Sequence, residues 1–230
     1  MPLILHIDTA LEHASISISR NGKLLSLAEN TNQKDHAAWL HPGIQKLISD
    51  LEFTWKQIDA VAVSNGPGSY TGLRVGLSSA KGICFALTIP LITLSTLKIM
   101  SVAASANSMN GFAEKRFGIF CPMIDARRME VFTALYDLEL NEIQEPQAKL
   151  IDENSFEKEL NAGKILFFGN GAAKCRQIIH HTNAIFETSR HNASHMIGLA
   201  EQKYVQKDFA SLAYAEPYYI KGFHTTMPKK

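Results

Sequence analysis

Apolar positions along the first third of the chain fall into three extended segments followed by a helix. Leu3-Ile4-Leu5-His6-Ile7 is a nearly continuous apolar run, the pattern of a strand covered on both faces. Ser15-Ile16-Ser17-Ile18-Ser19 alternates strictly and predicts a half-buried strand. Asn21-Gly22 follows; both residues accept the positive φ of a type I′ turn, so Lys23 to Asn30 returns as a hairpin partner. From His36 to Leu51, Trp39, Leu40, Ile44, Leu47, Ile48 and Leu51 keep helical spacing, with Pro42 bending the first turns.

Ala60-Val61-Ala62-Val63-Ser64 reads as a short buried strand running into Asn65-Gly66-Pro67-Gly68-Ser69-Tyr70-Thr71-Gly72. A helix is predicted over Leu73 to Leu87, a strand at Leu91-Ile92-Thr93, and a helix capped by Ser95 that reaches Asn107. After a connector from Ser108 to Arg116 come strands at Phe117 to Asp125 and Glu130 to Asp137, around Arg127-Arg128. A third extended piece leads to Asp152, read as the cap of a helix through Leu160. Strand Lys164 to Phe168, the tight loop Gly169-Asn170-Gly171 and a helix from Ala172 to His180 complete the pattern. The order three strands, helix, strand, helix thus occurs twice. The expected fold is α/β and two-lobed, actin-like, built from two tandem ribonuclease-H-like units. The N-terminal lobe spans residues 1–107 and the C-terminal lobe 108–230, with the last helix able to pack back on the first lobe.

Composition narrows the function classes. A chain of 230 residues with 46% apolar and 20% charged residues is neither disordered nor low in complexity. Lys+Arg 23 against Asp+Glu 22 leaves a net charge of +1, so the chain lacks the basic surplus of a free-standing nucleic-acid binder. Cys84, Cys121 and Cys175 lie far apart with no CxxC, and read as buried thiols rather than a disulfide or zinc framework. The uncharged run Gly82 to Leu97 is broken by Pro90 and falls short of the ~20 residues that span a bilayer. A cytoplasmic protein without a membrane role is expected.

Candidate chemistry concentrates in Asn65 to Gly76. Glycines and a proline between a strand and a helix N-terminus can turn several backbone N–H groups toward an anion. The spacing Gly66-x-Gly68-x-x-x-Gly72 is one residue too long for G-x-G-x-x-G, and no Gly-Lys-Ser/Thr follows. Two readings stay open: a phosphate or partner contact, or a tight strand-to-helix turn. Asp8-Thr9 ends the first strand, where actin-type ATPases hold metal and phosphate, but Ala10-Leu11-Glu12 follows in place of a glycine, and a capping role is expected. His36 and His41 are separated by about 140° on a helix and cannot share a metal. His191 and His195 have i,i+4 spacing without the glutamate of H-E-x-x-H, and are read as solvated, with Asn192 or Ser194 capping a helix. Arg127-Arg128 reads as an exposed turn; Glu142, Glu145, Asp152 and Glu153 read as a solvated acidic face. No nucleophile and base lie at readable spacing.

The run Gly66-Pro67-Gly68-Ser69-Tyr70-Thr71-Gly72-Leu73-Arg74-Val75-Gly76 resembles the signature of the TsaB (YeaZ) family of the bacterial tRNA threonylcarbamoyladenosine system. Ile7-Asp8-Thr9, Gln33-x-x-His36, Ile124-Asp125-Ala126-Arg127 and Gly169-Asn170-Gly171 extend the likeness over nearly the whole chain. The resemblance implies a non-catalytic relative of the transferase TsaD. It implies pairing with TsaD through the N-terminal lobes, a third subunit, the ATPase TsaE, and tRNA met only through the complex. It also implies a homodimer when alone and no intrinsic cofactor, with adenine nucleotide near the joint with TsaD. Gly66, Pro67, Gly68, Ser69, Tyr70, Thr71, Gly72 and Arg74 are then the nucleotide or partner contacts, with no catalytic or metal-binding residue. Where TsaD carries a metal-binding histidine pair, this chain reads Leu94-Ser95-Thr96-Leu97-Lys98-Ile99-Met100. The rival reading is a stand-alone actin-fold ATP-dependent enzyme or a metallopeptidase.

Overall fold

A computed structural model describes residues 2–32, 35–111 and 117–221. Gln33 and most of the connector, residues 112–116, lie outside them. In the first half, strands β1 (Leu3–Asp8), β2 (Ala14–Arg20) and β3 (Lys23–Asn30) precede helix α1 (His36–Asp50). Strand β4 (Ala60–Gly66), helix α2 (Tyr70–Leu87), strand β5 (Leu91–Ser95) and helix α3 (Thr96–Gly111) follow. The second half gives β6 (Ile119–Asp125), β7 (Glu130–Tyr136), β8 (Glu142–Leu150), α4 (Glu157–Ala162), β9 (Ile165–Phe168), α5 (Ala172–Cys175), β10 (Ala184–Glu187) and α6 (Ile197–Gln206).

The two halves have the same topology. The first sheet is ordered β3-β2-β1-β4-β5 and the second β10-β9-β6-β7-β8, which is the same order read from the other edge. In each, two antiparallel pairs adjoin two parallel ones. The repeat is more complete than the sequence pattern indicates, because β10 lies in a stretch the pattern leaves unassigned. Other boundaries move as well. Helix α2 starts at Tyr70, since Ser69 Oγ accepts the Gly72 amide at 3.3 Å and caps it there. Helix α3 continues to Gly111, and α5 stops at Cys175 instead of His180. Asp152 caps a turn, accepting the Asn154 amide and the Ser155 hydroxyl, and the helix begins only at Glu157.

Each sheet carries α1 and α2, or α4 and α5, on its outer face. Helix α3 is buried between the sheets. Its Ile99 packs with Ile4, Ala60 and Ala62 of the first sheet, while Leu97, Met100 and Ala104 pack with Phe120, Ala134 and Phe168 of the second. After β10 the chain returns to the first sheet: Ala193, Met196 and Ala200 join Ile4, Ala62 and Ile92 in one apolar cluster.

That return corrects the reading of β2. Ser15, Ser17 and Ser19 are all buried, because residues 193–200 cover the face that the alternation assigned to solvent. Two of the three buried hydroxyls are hydrogen-bonded, those of Ser15 and Ser19. Ser15 Oγ accepts the Ala193 amide at 2.8 Å, and Ser19 Oγ lies 2.8 Å from His6 Nε2. Burial pushes His6 down to about 3, so the ring packs in its neutral form.

Met196 is fully buried in the cluster that docks the C-terminal segment on the first sheet. Met196→Ala should lower unfolding stability by about 2–4 kcal/mol, as for other buried methionines cut to alanine. A urea titration read by tryptophan fluorescence should show a lower midpoint with an unchanged slope.

Candidate functional site

The glycine-rich segment leaves the end of β4 and turns into α2 beside the end of β1. Gly66 holds φ +118° and is followed by a cis bond to Pro67. The glycines are there because backbone must lie on backbone. A Cβ on Gly68 would stand 2.4 Å from the Ala10 carbonyl oxygen, one on Gly72 2.1 Å from that of Thr9, and one on Gly76 2.3 Å from Thr9 Oγ1. On Gly66 it would meet the Tyr218 carbonyl at 2.6 Å.

Three of the segment's amides are taken within the chain. The Ser69 amide donates to Ala10 O at 2.7 Å, the Leu73 amide to Ser69 O at 2.8 Å, and the Gly72 amide to Ser69 Oγ. Thr9 Oγ1 in turn donates to Gly72 O at 2.7 Å. Of the two readings left open by the sequence, this geometry fits the tight strand-to-helix turn.

Asp8 is closed off in the same way. It is buried, and Oδ1 accepts both the Ser64 hydroxyl at 2.7 Å and the Ala10 amide at 3.1 Å. Oδ2 lies 3.0 Å from His191 Nε2. Burial alone would raise the carboxyl, but the adjacent His191 and the hydrogen bonds from His191, Ser64 and Ala10 hold it below its usual value. The serine and histidine both point at the aspartate rather than at each other, so His191 cannot serve Ser64 as a base.

His191 is therefore not a solvated histidine, as its sequence context suggested; its side chain is 9% exposed. His195 is likewise half-buried. Its Nδ1 accepts the Asn192 amide at 3.1 Å, while Asn192 Oδ1 accepts the Ser194 amide and caps the short turn 193–196. Among the described residues no three His, Cys, Asp or Glu side chains are grouped to hold a metal ion. His41 Nε2 lies 3.0 Å from Ser79 Oγ and ties α1 to α2. Arg127 and Arg128 form the β6–β7 turn, whose carbonyls and Asp125 are gathered by Lys174.

Tyr70 and Arg74 lie on the outer side of the motif, against a C-terminal strap. The Arg74 guanidinium lies 4.0 Å above the Tyr70 ring and donates from Nε to Tyr219 Oη at 3.0 Å. The Tyr70 and Tyr219 rings are 5.4 Å apart. The Tyr218 amide donates to Asn65 O, and Lys81 Nζ to the carbonyls of Ala213 and Ala215. Sequence reasoning missed this strap; the tyrosines at 214, 218 and 219 were the signal that could have marked it. Beyond the strap, Thr71, Arg74, Ser78, Gly82, Phe85 and Ala86 form an exposed stripe along α2, and Phe85 is 79% exposed. Beside the stripe runs a groove of about 560 Å³ lined by His41, Trp55, Gly82, Ile83, Ala86 and Leu87.

Two ribonuclease-H-like units joined across a buried helix, with an aspartate at the first strand's end, define the actin-like two-lobed class. A family model for TsaD, tRNA N6-adenosine threonylcarbamoyltransferase, matches residues 27–221. The TsaB protein of Escherichia coli (strain K12) is 28% identical over 95% of this chain and 94% of its own length. That of Buchnera aphidicola subsp. Schizaphis graminum is 35% identical over 44% of this chain, a match spanning about half (48%) of that protein. The solved YeaZ of Pseudomonas aeruginosa superposes with a TM-score of 0.80 at 23% identity, covering 95% of this chain and 100% of that one. The chain belongs to the TsaD family, among its TsaB (YeaZ) members.

Two outcomes test the site's geometry. Gly72→Ala should destabilise the fold by about 2–4 kcal/mol, since backbone must move, whereas Gly82→Ala, with open space around it, should stabilise by about 0.5–1 kcal/mol. Denaturant midpoints give both. The Asp8 carboxyl is depressed in the fold, so its contribution is complete above the unfolded value near 3.8 and is lost as pH falls through the lower folded value. Asp8→Asn should therefore be less stable than the parent at neutral pH, and the gap should shrink below about pH 4 in melts run across pH.

Proposed function

We propose that the chain is a non-catalytic subunit of tRNA threonylcarbamoyladenosine biosynthesis that pairs with TsaD and supports it in transferring threonylcarbamoyl to tRNA. The observation that carries this reading is the closure of the Asp8 and glycine-loop region by the chain's own groups, beside an exposed stripe on α2. Both Asp8 oxygens are engaged and the Ser69, Gly72 and Leu73 amides are taken, which speaks against metal and phosphate chemistry at the place where related folds hold them. The names of the TsaB relatives supply the pathway.

The stripe supports the partner surface. A helix with one face in its own core and a 79%-exposed phenylalanine on another has apolar area to bury elsewhere. Gly82 and Ala86 let a second helix approach closely, and the adjoining groove receives a side chain. The same surface would join two copies of the chain when TsaD is absent. TsaE joins the pair, tRNA is met through the complex, in keeping with a net charge of +1, and the site of action is the cytoplasm. Any adenine nucleotide at the joint is held chiefly by the partner, with Arg74 and Tyr219 as this chain's contacts. Among the described residues no helix is long and apolar enough to cross a membrane.

Threonylcarbamoyl transfer to unmodified tRNA, reconstituted from TsaD, TsaE and the activated substrate, should require this chain, and the chain alone should be inert. Undiminished transfer without it overturns the reading. Gly82→Arg should leave the melting temperature within a few degrees of the parent, while weakening TsaD binding at least tenfold, roughly 1.4 kcal/mol, in a titration. Unchanged binding would remove α2 from the interface.

A further inference from the structure

The two lobes enclose a second cavity that the scaffold reading does not use. It measures about 470 Å³, within the size range of small-molecule sites. Leu11 from the β1–β2 turn, Met100 from α3 and Phe186 from β10 give it an apolar wall. Four charged side chains other than histidine line it: Glu12, Glu187, Arg176 and Arg190. Their states differ. Glu12 accepts a hydrogen bond from Asn170 Nδ2 at 2.6 Å across the lobes, and Glu187 is also engaged. Among the described residues Arg176 and Arg190 have no ion pair, side-chain hydrogen bond or ring contact. Ser189 Oγ, at the same cavity, is buried without a hydrogen-bond partner, a state that ordinarily costs about 1–3 kcal/mol unless something else fills the gap.

We infer that this interlobe cleft binds a small organic anion, a phosphomonoester or carboxylate, with its apolar body against Leu11, Met100 and Phe186 and its anionic group held by Arg176 and Arg190. The two guanidiniums are exposed at the cavity and held by no ion pair among the described residues, and guanidinium forks suit either oxyanion. A metal–polyphosphate is excluded by the cleft's floor: both Asp8 oxygens are taken, and His191 is turned toward Asp8. The occupant therefore carries a compact anionic group. This inference is independent of the TsaD pairing, which uses α2 on the outer face of the first lobe.

The probe is 8-anilinonaphthalene-1-sulfonate, an aromatic anion whose fluorescence rises in apolar surroundings, titrated into the full chain. Phenyl phosphate, benzoate, phenol and inorganic phosphate serve as competitors. The expected result is one saturable site, displaced at least tenfold more readily by phenyl phosphate or benzoate than by phenol or inorganic phosphate. Whichever of the two organic anions competes better identifies the headgroup. Arg176→Gln with Arg190→Gln should weaken the probe at least tenfold while leaving the circular dichroism spectrum and melting temperature unchanged. Phe85→Ser, on the distant α2 stripe, should not affect displacement by the organic anions. Binding that ignores the arginine variant, that Phe85→Ser abolishes, or that phenol or inorganic phosphate displaces as well as the organic anions overturns the inference.

Discussion

The peptide Asp8-Thr9-Ala10 lies directly against the start of α2, and much of the first lobe follows from that approach. Carbonyls of Thr9 and Ala10 occupy the space where Cβ atoms of residues 72 and 68 would sit, and Thr9 Oγ1 fills that of residue 76. A strand end and a helix can meet this closely only over glycine. The return is two hydrogen bonds at 2.7 Å, Ser69 N to Ala10 O and Thr9 Oγ1 to Gly72 O, which fix the helix against β1. The same contact takes up a donor: the Ser69 amide, turned toward the Ala10 carbonyl, is not available to another acceptor.

The second half makes a version of the same contact: a Cβ on Gly169 would stand 2.4 Å from the Met123 carbonyl oxygen, which also accepts the Gly171 amide at 3.0 Å. Asp125 ends β6 as Asp8 ends β1, and Gly169-Asn170-Gly171 leads from β9 into α5 as the glycine segment leads from β4 into α2. There the helix lasts only four residues, and Asp125 stays half-exposed beside Lys174 at 2.6 Å. Asn170 then spans the gap, accepting the Asp125 amide and donating to Glu12 of the first lobe. The cleft is lined on this side by Gly169, Asn170, Ala172 and Arg176.

Local signals in the sequence were enough for most of the elements. Asn21-Gly22 placed the first hairpin, and the apolar spacing of residues 39–51 placed α1, because each depends on neighbours a few residues away. What stayed hidden depends on distant chain. The serines of β2 read as solvent-facing since nothing near them says that residues 193–200 will cover them. His191 read as exposed because its partner, Asp8, is near the other end of the sequence. Strand β10 is four residues long and follows the polar stretch His180 to Asn183, so its apolar content is too small to stand out. The glycine segment was legible as a site but ambiguous in role. Its role turns on which acceptors its amides meet, and spacing alone does not encode that.

Helix α2 ends up held on three of its sides. Leu73, Leu77, Ile83 and Cys84 sit in the first sheet's core, Gly72 and Gly76 press on Thr9, and the strap ties Arg74 and Lys81 through Tyr219 and residues 213–215. Among the described residues the part of the stripe from Ser78 to Ala86 has no cover, and full burial of a side chain the size of Phe85 is worth about 1.5–3 kcal/mol. A helix already fixed on its other faces loses little conformational freedom when that stripe is covered, so more of the apolar gain survives as affinity. The glycine contacts that seat the start of α2 on the end of β1 thereby also fix the stripe beside them.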